Sequence, residues 1–534
     1  MKIIVRMLAL IMACLMCVVP VIACDDEPEN PNGGLVNNTQ DENGLKMDDL
    51  PQLNYLGETV NVLHWNDASY HEFEEESITG DNVADAVWLR NDTVESRLNV
   101  DLNFIGEAGN NEKRASFVKR VTASVENSSH DFDIISSYSR TQGMLAVAGH
   151  LYNLNDLGKD VHSYINLNQP WWPADITNTL SFGSSCYFLS GDISTAVLYN
   201  MTCVFFNKKQ LNAKFNEQAQ EQGFETAVDM LYDMVYLQDK VDKTKNWTID
   251  RMIEISNEFC DGVDNSGKAV QDGRYGFVSI YFQMDGFYTG SNLRLVDQHD
   301  EDLLVISPDF TSSKTVALVK KLGTWVTSET CLVETSNGEL GLDKNEFNNC
   351  PGHQIPFMKQ NALFLMCRAE VAGNTLSTLK NFSYGILPIP KYNDSQLNYY
   401  TCLGNPISIF GIFIDCVDPN EGDVESEKLS MLTAVLECWA SEGYRKTTPE
   451  IFYVNMMVKW SESPKEADMF QYVRNGIVFD LGRIFSQDLS YMSEMPSRAA
   501  ATNSSWINAY GAYKSQLNKK MELMVESFRE QGVI

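Results

Sequence analysis

The residues of this chain that could do acid–base or metal chemistry are overwhelmingly carboxylates: 72 Asp and Glu against 41 Lys and Arg and 7 His in 534 residues. At that density, paired acids arise by chance, so Asp131 with Asp133 is no sign of glycosidase chemistry. The two alternate with Phe132 and Ile134 and read as solvent-side and end residues of a strand. His71-Glu72-Phe73-Glu74-Glu75 lacks the second histidine of a zinc-protease helix, and the histidines show no metal-ligand spacing. A Gly-x-Ser-x-Gly elbow, a phosphate loop and a dinucleotide fingerprint are absent from the sequence. The stretch 261–273 has the polarity of a calcium loop, but aligning Gly267 to the obligatory glycine puts Gly262 and Gly273 where carboxylates are required. It reads as a polar turn before a strand starting near Tyr275. No catalytic residue, metal or cofactor is expected, which leaves binding without chemistry.

The first 24 residues say where that binding takes place. Lys2 and Arg6 precede an apolar run over 7–22 that is shorter than the roughly 20 residues of a membrane span and is interrupted by Pro20. The run ends in Val21-Ile22-Ala23-Cys24 before Asp25-Asp26-Glu27. This resembles a bacterial lipoprotein signal, which implies a cleaved peptide over 1–23 and lipid on Cys24. The stretch 24–57, rich at first in Asp, Glu, Asn, Gly and Pro, is expected to be a flexible acidic tether.

Removing residues 1–23 leaves a net charge of about −33, which repels nucleic acid and anionic lipid. The 44% hydrophobic content over this length suits more than one globular lobe. Of the 12 cysteines, those from Cys186 to Cys438 include no Cys-x-x-Cys pair, and several sit in apolar runs. Mostly free, buried thiols are expected, with Cys331 and Cys350 the pair to check for a bridge.

Strand and helix patterns alternate along the body. Residues 60–65 read as a buried strand, 85–98 as a helix with one apolar face, and 100–105 as an alternating strand. A third strand over 131–136 is followed by a polar loop. Asn207 can cap a helix over 208–215 and Thr248 another beginning at Ile249, while 407–417 reads as a core strand. Repeated strand, loop and helix units imply mainly parallel sheets, with ligands at the carboxyl ends of the strands.

Seven segments then fall in a familiar order: Asp131-Phe132-Asp133-Ile134-Ile135, Pro170-Trp171-Trp172, Ser190-Gly191-Asp192-Ile193-Ser194, Val204-Phe205-Phe206-Asn207-Lys208, Trp247-Thr248-Ile249-Asp250, Tyr275-Gly276-Phe277, and the run from Tyr384 to Tyr392. The order resembles that of family 1 extracellular solute-binding proteins, the lipid-anchored receptors of bacterial ABC importers, many of which bind sugars. The resemblance spans residues 58–534 and implies a two-lobe, type II periplasmic-binding-protein-like α/β fold with a hinge and a ligand cleft. By it, lobe 1 comprises 58–197 and, after a return, 386–450; lobe 2 begins with 198–385; the helical 451–534 packs mainly on lobe 2. The implied partners are a solute, a sugar or oligosaccharide in that family's manner, and the permease subunits of the importer. A monomer on the extracytoplasmic membrane face is expected. The alternatives are a secreted glycan-processing enzyme and a non-transport sensor or adhesion lipoprotein on the same fold.

A sugar presents flat apolar faces rimmed by hydroxyls, so its site needs aromatic rings together with carboxylate, amide or guanidinium groups. Trp171 and Trp172, stiffened between Pro170 and Pro173, are the first candidates, one of them expected to be buried. Tyr138 and Arg140 follow the third strand, although Arg140 could instead pair with nearby acids. Asp192 is either a cleft residue or a hinge cap. Trp65 ends the first strand, and Asn405 and Tyr288 complete the set.

Overall fold

The computed structural model describes residues 40–533 apart from 69, 175, 238–244, 261–272, 300–302, 337–339, 341–349 and 421–423. The signal peptide, Cys24, most of the tether and nearly all of the calcium-like loop lie outside the described residues. Two compact units divide the chain at residue 47. Of the first, residues 40–47 form a tight turn in which the Asp41 carboxylate accepts the Asn43 and Leu45 N–H groups.

The body, 48–534, contains two main sheets. The first uses β1 (Glu58–Trp65), β2 (Val100–Glu107) and β3 (Ile134–Tyr138). The second is built from β4 (Thr202–Asn207), β5 (Tyr275–Ile280), β6 (Cys331–Glu334), β7 (Ala362–Arg368) and β8 (Tyr384–Leu387). β9 (Ser408–Ile412) returns to the first. The spatial orders are β9-β3-β1-β2 and β6-β5-β7-β4-β8. β1 runs parallel to both β2 and β3, while β9 is antiparallel to β3. β5, β6 and β7 are parallel, and β4 is antiparallel to β7 and β8.

Local chemistry explains these elements. β1 is buried on both faces from Val62 onward, hence its continuous apolar run. The helix Asn82–Leu98 carries the chain to β2; Asp81 caps it by accepting the Val83 and Ala84 N–H groups, and Asn99 ends it in the left-handed region. Asn207 and Thr248 cap their helices through the Gln210 and Arg251 N–H groups. The polar stretch after β3, expected to be a loop, is the helix Ser139–Val147, buried among its neighbours. Asp133 is not a solvent-side residue: it is buried just before β3, accepts the Asn61 N–H at 2.7 Å and pairs with Lys428 at 3.1 Å. The cysteines from Cys186 to Cys438 form no disulfide among the described residues, and Cys331 and Cys350 are both buried.

Between β3 and β4 the chain passes from the first sheet to the second. It returns between Leu387 and Ser408, later than residue 386, because Ile386 and Leu387 still pair with Phe205 and Val204 of the second sheet. The C-terminal part divides between the lobes. Pro449–Lys459 packs on Asn82–Leu98, whereas Pro464–Asn475 packs on β8 and Met495–Ala501 on Ser313–Val326. The last helix, Trp506–Glu530, reaches both: Trp506 Nε1 donates to the Phe310 carbonyl, and Ser527 Oγ to that of Val147.

Candidate functional site

The carboxyl ends of the two sheets meet. β1 ends at Trp65 and β3 at Tyr138 in the first lobe, and β7 ends at Arg368 in the second. Between them lies a cavity of about 310 Å³ lined by Trp65, Asp67, Tyr70, Asn110, Asn111, Glu112, Tyr138, Arg368, Glu370 and Pro406 among the described residues. This is at the small end of ligand pockets, which run from about 300 Å³ upward.

Three of the lining groups are held from behind. The Asp67 carboxylate accepts the Gly109 and Asn110 N–H groups at 3.0 and 3.1 Å, fixing the loop after β2. Tyr70 stacks on Tyr199 at 5.1 Å, donates to the Pro406 carbonyl and accepts from Asn200 Nδ2. Burial raises the Tyr70 hydroxyl above the usual range, so it remains a donor. Arg368 donates to Asn200 Oδ1 at 3.0 Å and pairs with Glu370 at 3.0 Å. Asn200, in the first crossing, therefore ties Arg368 of one lobe to Tyr70 of the other. Arg368, Asn200 and Tyr70 were not among the residues picked from the sequence; nothing local marks them, since their role comes from contacts over more than a hundred residues.

The picked residues separate into three places. Trp65 and Tyr138 line this cavity, their rings edge to face at 5.8 Å. At 2% and 4% exposure little of either residue is open to a ligand. Arg140 is buried one turn behind, its Nη2 on Glu494 Oε1 at 2.6 Å and its guanidinium 5.2 Å from the Tyr491 ring. Asn405 accepts from Arg483, which pairs with Asp285 at 2.7 Å. Neither lines the cavity directly.

Trp171, Trp172 and Asp192 border a different cavity, of about 750 Å³, together with 398–400 and 474–479. Both tryptophans are buried, and their indole N–H groups donate to the two oxygens of Glu437 at 3.2 and 3.0 Å. The Asn166 N–H also donates to Glu437, yet burial dominates and raises this carboxyl to about 7. Asp192 accepts from Thr448 at 2.7 Å and from Arg474 at 3.3 Å. Gly191 before it has φ +126°, and a Cβ there would lie 2.6 Å from the Trp171 carbonyl. Tyr288 borders neither cavity: its hydroxyl donates to the Arg294 carbonyl and its ring packs on Phe310 in the second lobe.

Asp48, Cys438 and Glu442 approach closely enough to share an ion. Their chemistry does not suit one, because Arg97 bridges Asp48 and Glu442 at 2.6 and 2.8 Å and Arg445 contacts both acids.

The chain matches no protein-family model and no curated protein by sequence. Among solved structures, an uncharacterized protein of Listeria monocytogenes EGD-e is similar at a TM-score of 0.50 and 10% identity, covering 87% of this chain and 100% of its own. The cyclic alpha-maltosyl-1,6-maltose binding protein of Arthrobacter globiformis gives 0.49 and 12%, with 87% and 99% covered. The galacto-N-biose/lacto-N-biose I-binding protein of Bifidobacterium longum gives 0.49 and 11%, with 90% and 98% covered. At these identities the likeness is one of fold alone, a two-lobe α/β arrangement built on two main sheets.

Proposed function

We propose that this protein is an extracytoplasmic receptor of the family 1 solute-binding type. It captures a saccharide between its lobes and hands it unaltered to the permease subunits of an ABC importer, while lipid on Cys24 keeps it at the membrane. The observation that carries this reading is the convergence of strand carboxyl ends from both sheets on one cavity that mixes aromatic edges with amide, carboxylate and guanidinium groups. Such a mixture suits a ring with apolar faces and a hydroxyl rim. No helix among the described residues is long and apolar enough to cross a membrane, and attachment through lipid is compatible with that.

A thermal-shift screen over neutral and acidic saccharides, peptides and polyamines tests the reading. A ligand at 100 times its Kd should add about 2.7 kcal/mol, and its binding should shrink the radius of gyration as the lobes close. Stabilisation by peptides or polyamines alone would sink the saccharide assignment, and cleavage of a bound glycan would make the protein an enzyme. Cys24→Ala should abolish lipid labelling and membrane retention if the anchor is as proposed.

A further inference from the structure

Besides the inner cavity there is one of about 680 Å³ whose described lining includes Gln487, Ser490, Tyr491, Arg498, Tyr513 and Lys520. Arg114 connects the two. Its Nη2 donates to the Tyr491 hydroxyl at 2.7 Å, and its Nη1 to Asn111, a lining residue of the inner cavity. Arg498 reaches the same region from the other side, its guanidinium 4.3 Å above the ring of Tyr281 just past the end of β5.

The charge of this outer cavity runs against that of the chain. In a protein with 72 acids and 41 bases, its charged lining among the described residues is Arg498 and Lys520, with no carboxylate. The inner cavity is lined by Asp67, Glu112 and Glu370 against Arg368. Two acids stand beside this cavity: Glu494 binds Arg140 at 2.6 Å and Arg498 at 3.4 Å, and burial raises the Asp488 carboxyl while Lys520 draws it back down. The Arg498 side chain is 56% exposed despite its contacts. Ser490 and Tyr491 stand in succession at φ +56° and +58°, a conformation that non-glycine residues adopt only when their surroundings impose it. Ser490 Oγ and Gln487 Oε1 are buried there without a hydrogen-bond partner.

We infer that the ligand is a saccharide carrying an anionic substituent, a carboxylate or a sulfate or phosphate ester, which rests between Arg498 and Lys520 while a neutral ring occupies the inner cavity. The inference rests on the saccharide reading and adds its charge and its direction. Three acids against one base keep the anion out of the inner cavity; two cations receive it in the outer one.

Calorimetric titration of the full-length chain with digalacturonate, a sulfated chondroitin disaccharide and a neutral digalactoside tests this, the first two separating carboxylate from sulfate. An anionic probe should bind about tenfold more tightly than the neutral one, the size of one charge-assisted hydrogen bond. The advantage should shrink between about 0.01 M and about 1 M salt as screening shortens. In the Arg498→Gln/Lys520→Gln variant the ratio of the two affinities should fall towards one. Lys520→Glu, a surface change checked for an unaltered melting temperature, should push the ratio below one. A neutral probe that binds as well as the anionic ones, or an anionic preference that survives both variants, overturns the inference and leaves the saccharide reading standing. If no saccharide of either charge binds, both fall together.

Discussion

Trp65 and Ser408, 343 residues apart in the chain, are joined by a 2.8 Å hydrogen bond from the indole Nε1 to the serine Oγ. The same hydroxyl donates to Glu72 Oε2 at 2.8 Å, and Glu72 Oε1 accepts from Ser194 Oγ at 2.6 Å. One relay thus fixes the end of β1, the start of β9 and the segment that leads into the first crossing. Ser408→Ala would leave a buried indole N–H and a buried carboxylate oxygen each short of a partner, at about 1–3 kcal/mol per group. Urea unfolding should show a loss in that range, and a loss below about 0.5 kcal/mol, the scale of an ordinary surface change, would mean the relay carries little.

Glu437 should write a pH dependence into stability. Its folded carboxyl is raised to about 7 from an ordinary 4.5, chiefly by burial, with Asp48 adding to the rise. The folded state therefore holds this proton to higher pH than the unfolded chain does. Its contribution is fully present below about 4.5 and is lost as pH climbs to about 7, a change of about 3 kcal/mol. Glu437→Gln should remove that slope from the melting-temperature profile between pH 4.5 and 7.5. Because an amide cannot accept from both tryptophans, the variant should also be less stable at pH 5. Parallel profiles for parent and variant would refute the assignment.

Trp172 separates a fold role from a binding role. Its ring is buried and its N–H is bonded to Glu437, so Trp172→Ala should cost about 3–5 kcal/mol of stability. Trp172→Phe keeps most of the ring and loses the hydrogen bond, for about 1–3 kcal/mol. Saccharide affinity of the folded fraction should stay within about twofold of the parent, given that neighbouring contacts carry no direct ring stacking in this conformation. A folded Trp172→Phe protein with parental stability and much weaker binding would return the ring to the ligand.

The parts of this molecule visible in its sequence are those governed by neighbours along the chain. β1 announces itself because its residues are buried on both faces, and Asn207 and Thr248 announce helices because a cap bonds the N–H three residues on. Trp65 and Tyr138 line a cavity at strand ends, the place where such sheets collect ligands. Trp171 and Trp172 border the larger cavity with buried rings, which the sequence could not show: two prolines stiffen a loop whether it displays its rings or buries them, and their partner, Glu437, lies 265 residues or more away. The helix after β3 was hidden because its buried residues include Ser139, Arg140, Thr141 and Gln142, whose polarity reads as solvent exposure. Ser137 and Gln142 satisfy one another at 2.6 Å, a pairing that only the folded chain creates.

The saccharide reading gives Arg368, the one guanidinium among the described lining of the inner cavity, the main part in recognition. Asn200 and Glu370 hold its guanidinium in place, while its Nε is buried without a partner. A saccharide hydroxyl or ring oxygen arriving at the end of β7 would accept from a donor already oriented, so little entropy is lost on binding. Arg368→Gln should therefore weaken saccharide binding by about 1.5–3 kcal/mol, the worth of a charge-assisted hydrogen bond. The substitution also frees Glu370, which is partly exposed, so its stability cost should be the smaller effect. Glu370→Gln supplies the comparison: it keeps the arginine and relaxes its anchor, and should weaken binding less. Calorimetry on both variants, read beside their unfolding curves, decides the matter. Equal affinities for the parent and Arg368→Gln, at matched stability, would place the ligand away from the end of β7.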